Sequence, residues 1–477
     1  MAAESCGACA SDYTRIALNV GLPSACALWR RPPVVRLLLI ALMAEIGYAV
    51  LNISTMPVYL KYDRDYGEGL IALVVTAFLL SEALFKGPMG HLADRFGHRR
   101  LITLGPALTV FTSLLTLIVP HNAGYFETLA LIGLRMLDGL GAAMLWPAAF
   151  ALMNDTVADG ERQEAMSLLN TCYLLGIALA LPLGGLFNDL LGPYLAAFSG
   201  ARTPSLFFAS SLFLTVSIIA FHYLPSGDKI RQRVRASAAA DKRVPGLLTE
   251  TADGEMKFLL EGARRIPGYL VLGAVTFIGI GFPMVVIKLF AKEQFNLSET
   301  AFGVMALPGA LAMGVLSVPM ARAGERLGNN RAVHVGLGLC AAGLALISAG
   351  AVVPGLRMGW IMALGGIPVG LGFLLTIPAW YTSVAEVDAA RRASNIGAIM
   401  TAQGLGAIIG APLGGLLYQH VANWSMLSRL DLPVRETIGR YSPLLACAVF
   451  VTLGWLLSLR ILRGSNAQPR RAADEPS

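Results

Sequence analysis

Charge is what this sequence has least of. Asp, Glu, Lys and Arg together make up 14% of it, against about 25% in an ordinary soluble domain. With 55% hydrophobic residues and a mean hydropathy of +0.63, there is too little polar side chain to cover a water-facing surface. Long polar stretches are scarce too, which excludes a soluble enzyme with a large core. Apolar runs of roughly 20 residues follow one another, each long enough to cross about 30 Å of hydrocarbon. Cysteine is sparse and scattered. Cys172, Cys340 and Cys447 lie inside apolar runs, as small core residues do. Cys6 and Cys9 form a lone C-x-x-C without a second pair or a histidine partner, so no metal centre is expected. The six histidines sit at loops or helix ends, with no nucleophile–base set around them. No phosphate-cradling G-x-x-x-x-G-K-S/T loop is present. The chain is therefore expected to be no enzyme, to draw no energy from ATP and to need no cofactor.

The charge that is present is positive and placed. The net charge is +7, and the basic residues fall in the short connections between apolar runs. That pattern fits orientation in a bilayer, and no nucleic-acid-binding pattern accompanies it. Twelve spans are expected, at 34–59, 70–89, 101–120, 126–152, 165–190, 204–224, 268–290, 300–320, 332–353, 358–384, 394–419 and 442–463. Residues 1–33 read as an N-terminal tail, 34–224 as a first six-helix bundle, and 225–266 as a charged linker. Residues 267–463 read as a second bundle and 464–477 as a C-terminal tail. Both termini inside the cell would put roughly 26 basic residues within and about nine outside. The expected setting is the cell membrane, and the expected state a monomer.

The two bundles are copies of each other. The loop G-P-M-G-H-L-A-D-R-F-G-H-R-R, 87–100, returns as P-M-A-R-A-G-E-R-L-G-N-N-R, 319–331, at an offset of 231. Pro88 meets Pro319, Asp94 meets Glu325, Arg95 meets Arg326, Gly97 meets Gly328 and Arg100 meets Arg331. The Gly139–Gly141 G-L-G of helix 4 returns at 370–372 of helix 10. The P-L-G-G of helix 5, Pro182, Gly184 and Gly185, returns in helix 11 as Pro412, Gly414 and Gly415. Matched elements in one order make two homologous halves. Small residues let helix backbones approach in lipid, and proline bends a helix, so these positions read as packing and hinge points.

At these residues the chain resembles the major facilitator superfamily. The run G-H-L-A-D-R-F-G-H-R-R, from Gly90, matches that family's signature between helices 2 and 3, and R-M-L-D-G-L-G-A-A, from Arg135, resembles its helix 4 signature. The resemblance is nearest to the twelve-helix drug:proton antiporters. Their helix 5 core G-P-x-x-G-G differs here, where Pro182 stands one step closer to Gly184. Sugar-porter signatures are absent. The resemblance implies an all-α membrane protein of twelve helices in two pseudo-symmetric bundles. It also implies an inner gate at Gly90, Asp94, Arg95, Gly97, Arg99, Arg100, Glu325 and Arg326, with Asp94 near the start of helix 3. Helices 1, 4, 7 and 10 would line a central cavity.

Charges inside the spans carry the functional expectation, since each costs several kcal/mol unless paired or wet. Glu45 lies near the middle of helix 1, and Arg135 and Asp138 lie in helix 4. Their copies at the offset of 231 are Thr276, Gly366 and Val369. The scaffold repeats and these charges do not, so they read as the proton-coupling and substrate site. Glu82 and Lys86 form an i,i+4 pair that can neutralise itself. Tyr48 and Asn52 share a face with Glu45, and Trp146 shares one with Arg135. Phe277, Phe282, Trp380 and Tyr381 are the cavity candidates of the second half; at a helix end, Trp380 and Tyr381 also suit an interface anchor. The expected function is proton-coupled efflux of a small amphipathic compound by alternating access. The alternatives are proton-coupled uptake of an anionic metabolite at Arg135, and a membrane sensor without transport.

Overall fold

The computed structural model consists of helices joined by short turns over its described residues, which are 28, 30–157, 162–199, 204–224, 264, 266–387 and 392–462. Most of the expected tails and linker lies outside them. Among these described residues are twelve long helices: α1 (Pro32–Asp63), α2 (Glu68–Phe96), α3 (His98–Ile118), α4 (Tyr125–Thr156), α5 (Arg162–Ser199), α6 (Ser205–Tyr223), α7 (Pro267–Met284), α8 (Glu299–Leu327), α9 (Asn329–Ser348), α10 (Gly359–Val387), α11 (Arg392–His420) and α12 (Leu432–Ile461). Among the described residues, eleven are long and apolar enough to cross a bilayer. The remaining one, α8, carries no charge from Thr300 to Met320 and stands where the eighth span is expected.

Several helices outrun the expected spans. α12 begins at Leu432, ten residues before the predicted 442, through the polar turns L-P-V-R-E-T-I-G-R-Y. A hydropathy window ends where hydrocarbon ends, whereas the backbone ladder continues into water. α7 stops at Met284, and a short helix, Ile287–Phe295, continues it after a break. α1 is α-helical to Ala49 and then opens into π-helical turns over Val50–Thr55 and Tyr59–Asp63. Such turns loosen the i→i−4 ladder and re-aim side chains.

The charged connection of the sequence is far tighter than a loop. α2 runs on through Asp94 to Phe96, and α3 starts at His98. Asp94 is thus in the last turn of α2, not at the start of α3. The single break is Gly97, with φ +99, where its N–H still bonds the Ala93 carbonyl. Gly328 breaks α8 from α9 in the same way, with φ +81. An L side chain is disfavoured there, which is the physical reason for the matched glycines.

Packing follows the repeat. Within the first half α2 and α3 pack on α4, and α1 packs on α5 and α6. Within the second half α7 packs on α11 and α12, and α10 on α8 and α9. Across the halves α5 lies on α8 and α2 on α11. The first core includes Val285, Leu289 and Ala411 of the second half, all from the end opposite the basic Arg95–Arg100 and Arg326–Arg331 turns. We call these the far end and the basic end.

Candidate functional site

The helix 4 charges form one site. Arg135 and Asp138 are one turn apart on α4 and pair at 2.7 Å, both fully buried. They turn towards α3. Thr112 donates to the Asp138 carboxylate, and Arg135 donates to the Thr116 hydroxyl at 2.9 Å. Nε and Nη1 of Arg135 are buried without a hydrogen-bond acceptor among the described residues. Two hydroxyls on one α3 face, spaced by four, meet a charge pair spaced by three. α3 and α4 come this close because Gly141 lies on the Gly105 backbone; a Cβ at Gly141 would sit 2.7 Å from that carbonyl oxygen.

Glu45 belongs to a different cluster. The charged side chains acting on it are Glu82 and Lys86 of α2, which pair with each other at 2.8 Å. Glu45 is itself 6% exposed and forms no ion pair among the described residues. Its Cβ rests on Gly176 of α5, where any side chain would collide with it. Tyr173, one turn before Gly176, feels the Glu45 carboxylate and meets Trp146 of α4 edge-on at 5.0 Å. Phe150 flanks Trp146 at 6.1 Å. α2 and α5 are the helices that face the other half. The carboxylate and its aromatic neighbours therefore stand among α1, α2, α4 and α5, while Arg135 and Asp138 sit against α3.

Tyr48 links the two places. Its hydroxyl lies 3.3 Å from that of Thr109, one turn before Thr112, and its ring packs on Phe213 and Phe78. Asn52 turns back to the Tyr48 carbonyl at 2.9 Å.

The second-half candidates divide. Phe277 is half-buried against Phe373 of α10. Phe282 is core, packed on Phe450 of α12. Trp380 is fully buried in the second-half core, which excludes an interface anchor. Tyr381 donates to Gln403 of α11 at 2.9 Å. At the basic end, Arg99 donates to the Phe221 carbonyl and lies over its ring, fastening α3 to α6 within one half. Arg95, Arg100 and Arg326 are exposed. Gly90 lies 3.7 Å from Pro147 of α4, measured from an added Cβ. The side chains of Asp94 and Glu325 lie outside the described residues.

The motif glycines separate by function in packing. Gly139 faces α2, and Gly141 faces α3. Gly184 abuts Ser54 of α1 inside its half, whereas Gly185 abuts the α8 backbone across the interface. Gly414 and Gly415 repeat this, facing Phe282 of α7 and Glu68 of α2. Pro182 sits against Gly303 of α8.

Twelve helices in two repeated halves that meet through α5–α8 and α2–α11 fix the relationship. The chain belongs to the Major Facilitator Superfamily. The family model matches residues 37–261 and 269–475. This superfamily member is a membrane-embedded secondary transporter and not an enzyme. It is 24% identical to multidrug resistance protein 2 of Bacillus subtilis, over 80% of this chain and 88% of that one. It is 24% identical to the multidrug efflux pump LfrA of Mycolicibacterium smegmatis, over 76% and 75%. It is 22% identical to the proton-coupled antiporter flippase LtaA of Staphylococcus aureus, over 76% and 83%. Its fold matches the nucleoside transporter NupG with a TM-score of 0.67 at 10% identity, covering 92% of this chain and 100% of that one. A bacterial homologue of the human drug peptide transporters matches with a TM-score of 0.64 at 18% identity, covering 91% and 98%.

Sequence reasoning missed several polar groups. Lys288, Glu299 and Asn188 make a buried cluster at the far end. Arg64 pairs with Glu127 at 3.0 Å and donates to Tyr59 at 2.8 Å, tying the end of α1 to α4. Lys288 was legible as a lone lysine inside an apolar run, and Glu299 as the copy of Glu68 at the offset of 231.

Proposed function

We propose that this transporter exports a small amphipathic cation in exchange for protons, by alternating access, with its basic end and both termini in the cytoplasm. The observation that carries the proposal is Glu45: a buried carboxylate with no ion pair among the described residues, beside the aromatic rings of Tyr173, Trp146 and Phe150. In lipid such a charge needs a proton or a cationic partner. Proton and cation then compete for one site, which is the logic of an exchanger. Tyr173, Trp146 and Phe150 offer ring faces and edges to a bulky organic cation. Relatives whose names include multidrug efflux and proton-coupled antiport support the same reading. The Arg135–Asp138 pair serves as a second proton-responsive element, reached through Tyr48, Thr109 and Thr112.

Uptake of an anion at Arg135 is the weaker reading, because that guanidinium is fully buried and paired with Asp138. The test uses purified protein in liposomes with a pH-sensitive dye inside. A pH gradient is imposed, and quaternary ammonium compounds, organic anions and sugars are added in turn. Proton movement triggered by the cations, and lost in Glu45→Gln, is the expected result. Coupled flux retained in Glu45→Gln removes Glu45 from the mechanism. A response to anions alone overturns the export reading.

A further inference from the structure

The far end is held shut by bonds that repeat across the pseudo-symmetry. A helix start leaves its first N–H groups without partners inside the helix. In α2 and α8 those partners come from the opposite half. Gly69 N donates to Gln419 Oε1 of α11 at 2.9 Å. Thr300 N donates to Asp189 Oδ2 of α5 at 2.8 Å. Gly69 and Thr300 are copies at an offset of 231, and Asp189 and Gln419 at 230. Gly415 and Gly185, the second glycines of the two P-L-G-G motifs, let the paired backbones come this near.

Both clasps carry a lysine–glutamate pair, Lys61–Glu68 and Lys288–Glu299, but Lys288 is the more deeply buried lysine and bonds across to the other half. Lys288 pairs with Glu299, and both are buried. Lys288 Nζ donates at 2.7 Å to both the carbonyl and the hydroxyl of Ser54, in the π-helical turn of α1. Asn188 of α5 donates to Glu299 at 3.0 Å. The Lys288–Glu299 pair therefore lies wholly within the second half, while the bonds by which it crosses the interface, Lys288 to Ser54 and Asn188 to Glu299, each join a charged group to a neutral one. Among the described residues, parting the halves there breaks charge-assisted hydrogen bonds but separates no ion pair. Such a clasp holds firmly and can still reopen.

We propose that Lys288 and Glu299 are the gating residues of the far end, and that their mutual neutralisation sets how much of the protein is closed there. The proposal rests on the alternating-access reading. Its signature is a sign pattern. Lys288→Met leaves Glu299 buried without its counter-ion only when the gate is shut, and Glu299→Gln does the same to Lys288. Each single variant thus favours opening. The double variant buries no charge and returns towards the closed state.

The experiment is pulsed electron–electron distance measurement in nanodiscs. Spin labels go on Tyr125→Cys and Val352→Cys at the far end, and on His222→Cys and Leu327→Cys at the basic end, all exposed. The background has its native cysteines replaced and is assayed for transport in liposomes alongside. Each single variant is expected to raise the open-to-closed ratio at the far end by roughly ten-fold or more, with the basic-end distance shortening in step. The double variant is expected to be less open than either. Gln419→Ala, a milder change that removes the neutral bond to Gly69, is expected to open the far end to a smaller degree. Singles that match the parent, or a double more open than both singles, overturn the clasp while the parent's transport and paired distance changes keep alternating access. A far-end distance that never lengthens in any sample, with transport intact, overturns both.

Discussion

Consider neutralising the Arg135–Asp138 pair one side at a time. Both side chains are fully buried and pair at 2.7 Å. Removing one partner of a buried pair costs about 3–5 kcal/mol in soluble proteins, because the other charge is left without compensation. In lipid the unfolded reference also finds polar partners, so ~2–4 kcal/mol is expected for Arg135→Met or Asp138→Ala. The double variant Arg135→Met/Asp138→Asn leaves no buried charge, and the amide oxygen can still accept from Thr112. It should stand within ~1.5 kcal/mol of the parent. The assay is reversible unfolding by denaturing detergent in mixed micelles, followed by tryptophan fluorescence, with proton-coupled flux measured in parallel. Singles as stable as the parent would refute the buried pairing. A stable double variant with full pH-driven flux would make the pair architectural. A stable double variant without flux is the expected result.

Other consequences follow from particular contacts. Gly185→Val and Gly415→Val should block transport while leaving each half folded, since both collide across the interface; Gly184→Val collides within the first half and should lower the unfolding temperature instead. Gly97→Ala and Gly328→Ala force an L residue to positive φ and should each cost about 1–2 kcal/mol in the same unfolding assay. Arg99→Ala should cost under about 2 kcal/mol and raise hydrogen exchange at the end of α6, leaving the distribution between open states unchanged. An equal rise across the interface would instead make Arg99 part of the gate.

The architecture was legible because its causes are local or repeated. Apolar length gives spans, and a shared offset gives two halves. Gly97 and Gly328 could be matched by that offset before their positive φ was known. The sequence also gave reason to separate Glu45, Arg135 and Asp138 from the scaffold, because these charges are missing from the second copy. It could not say which charges meet. Helical spacing put Arg135 and Asp138 side by side, yet their common direction, towards Thr112 and Thr116 of α3, depends on how α3 and α4 cross. Glu45 faces Glu82 and Tyr173 instead.

Asn188 and Glu299 lie 111 positions apart, and Ser54 and Lys288 lie 234 apart. Periodicity carries no record of contacts over such distances. What the sequence determined by itself is therefore what one segment, or one repeat, must do to live in a bilayer: helix length, polarity by depth, the glycine at a reversal. What only the tertiary structure decided is which buried polar groups satisfy one another. In hydrocarbon an unpaired polar group is costly, so partners are chosen by the packing of whole helices. Two lysines inside or beside apolar runs can look alike in sequence. Lys61 pairs within the first half, while Lys288 also reaches across to the other.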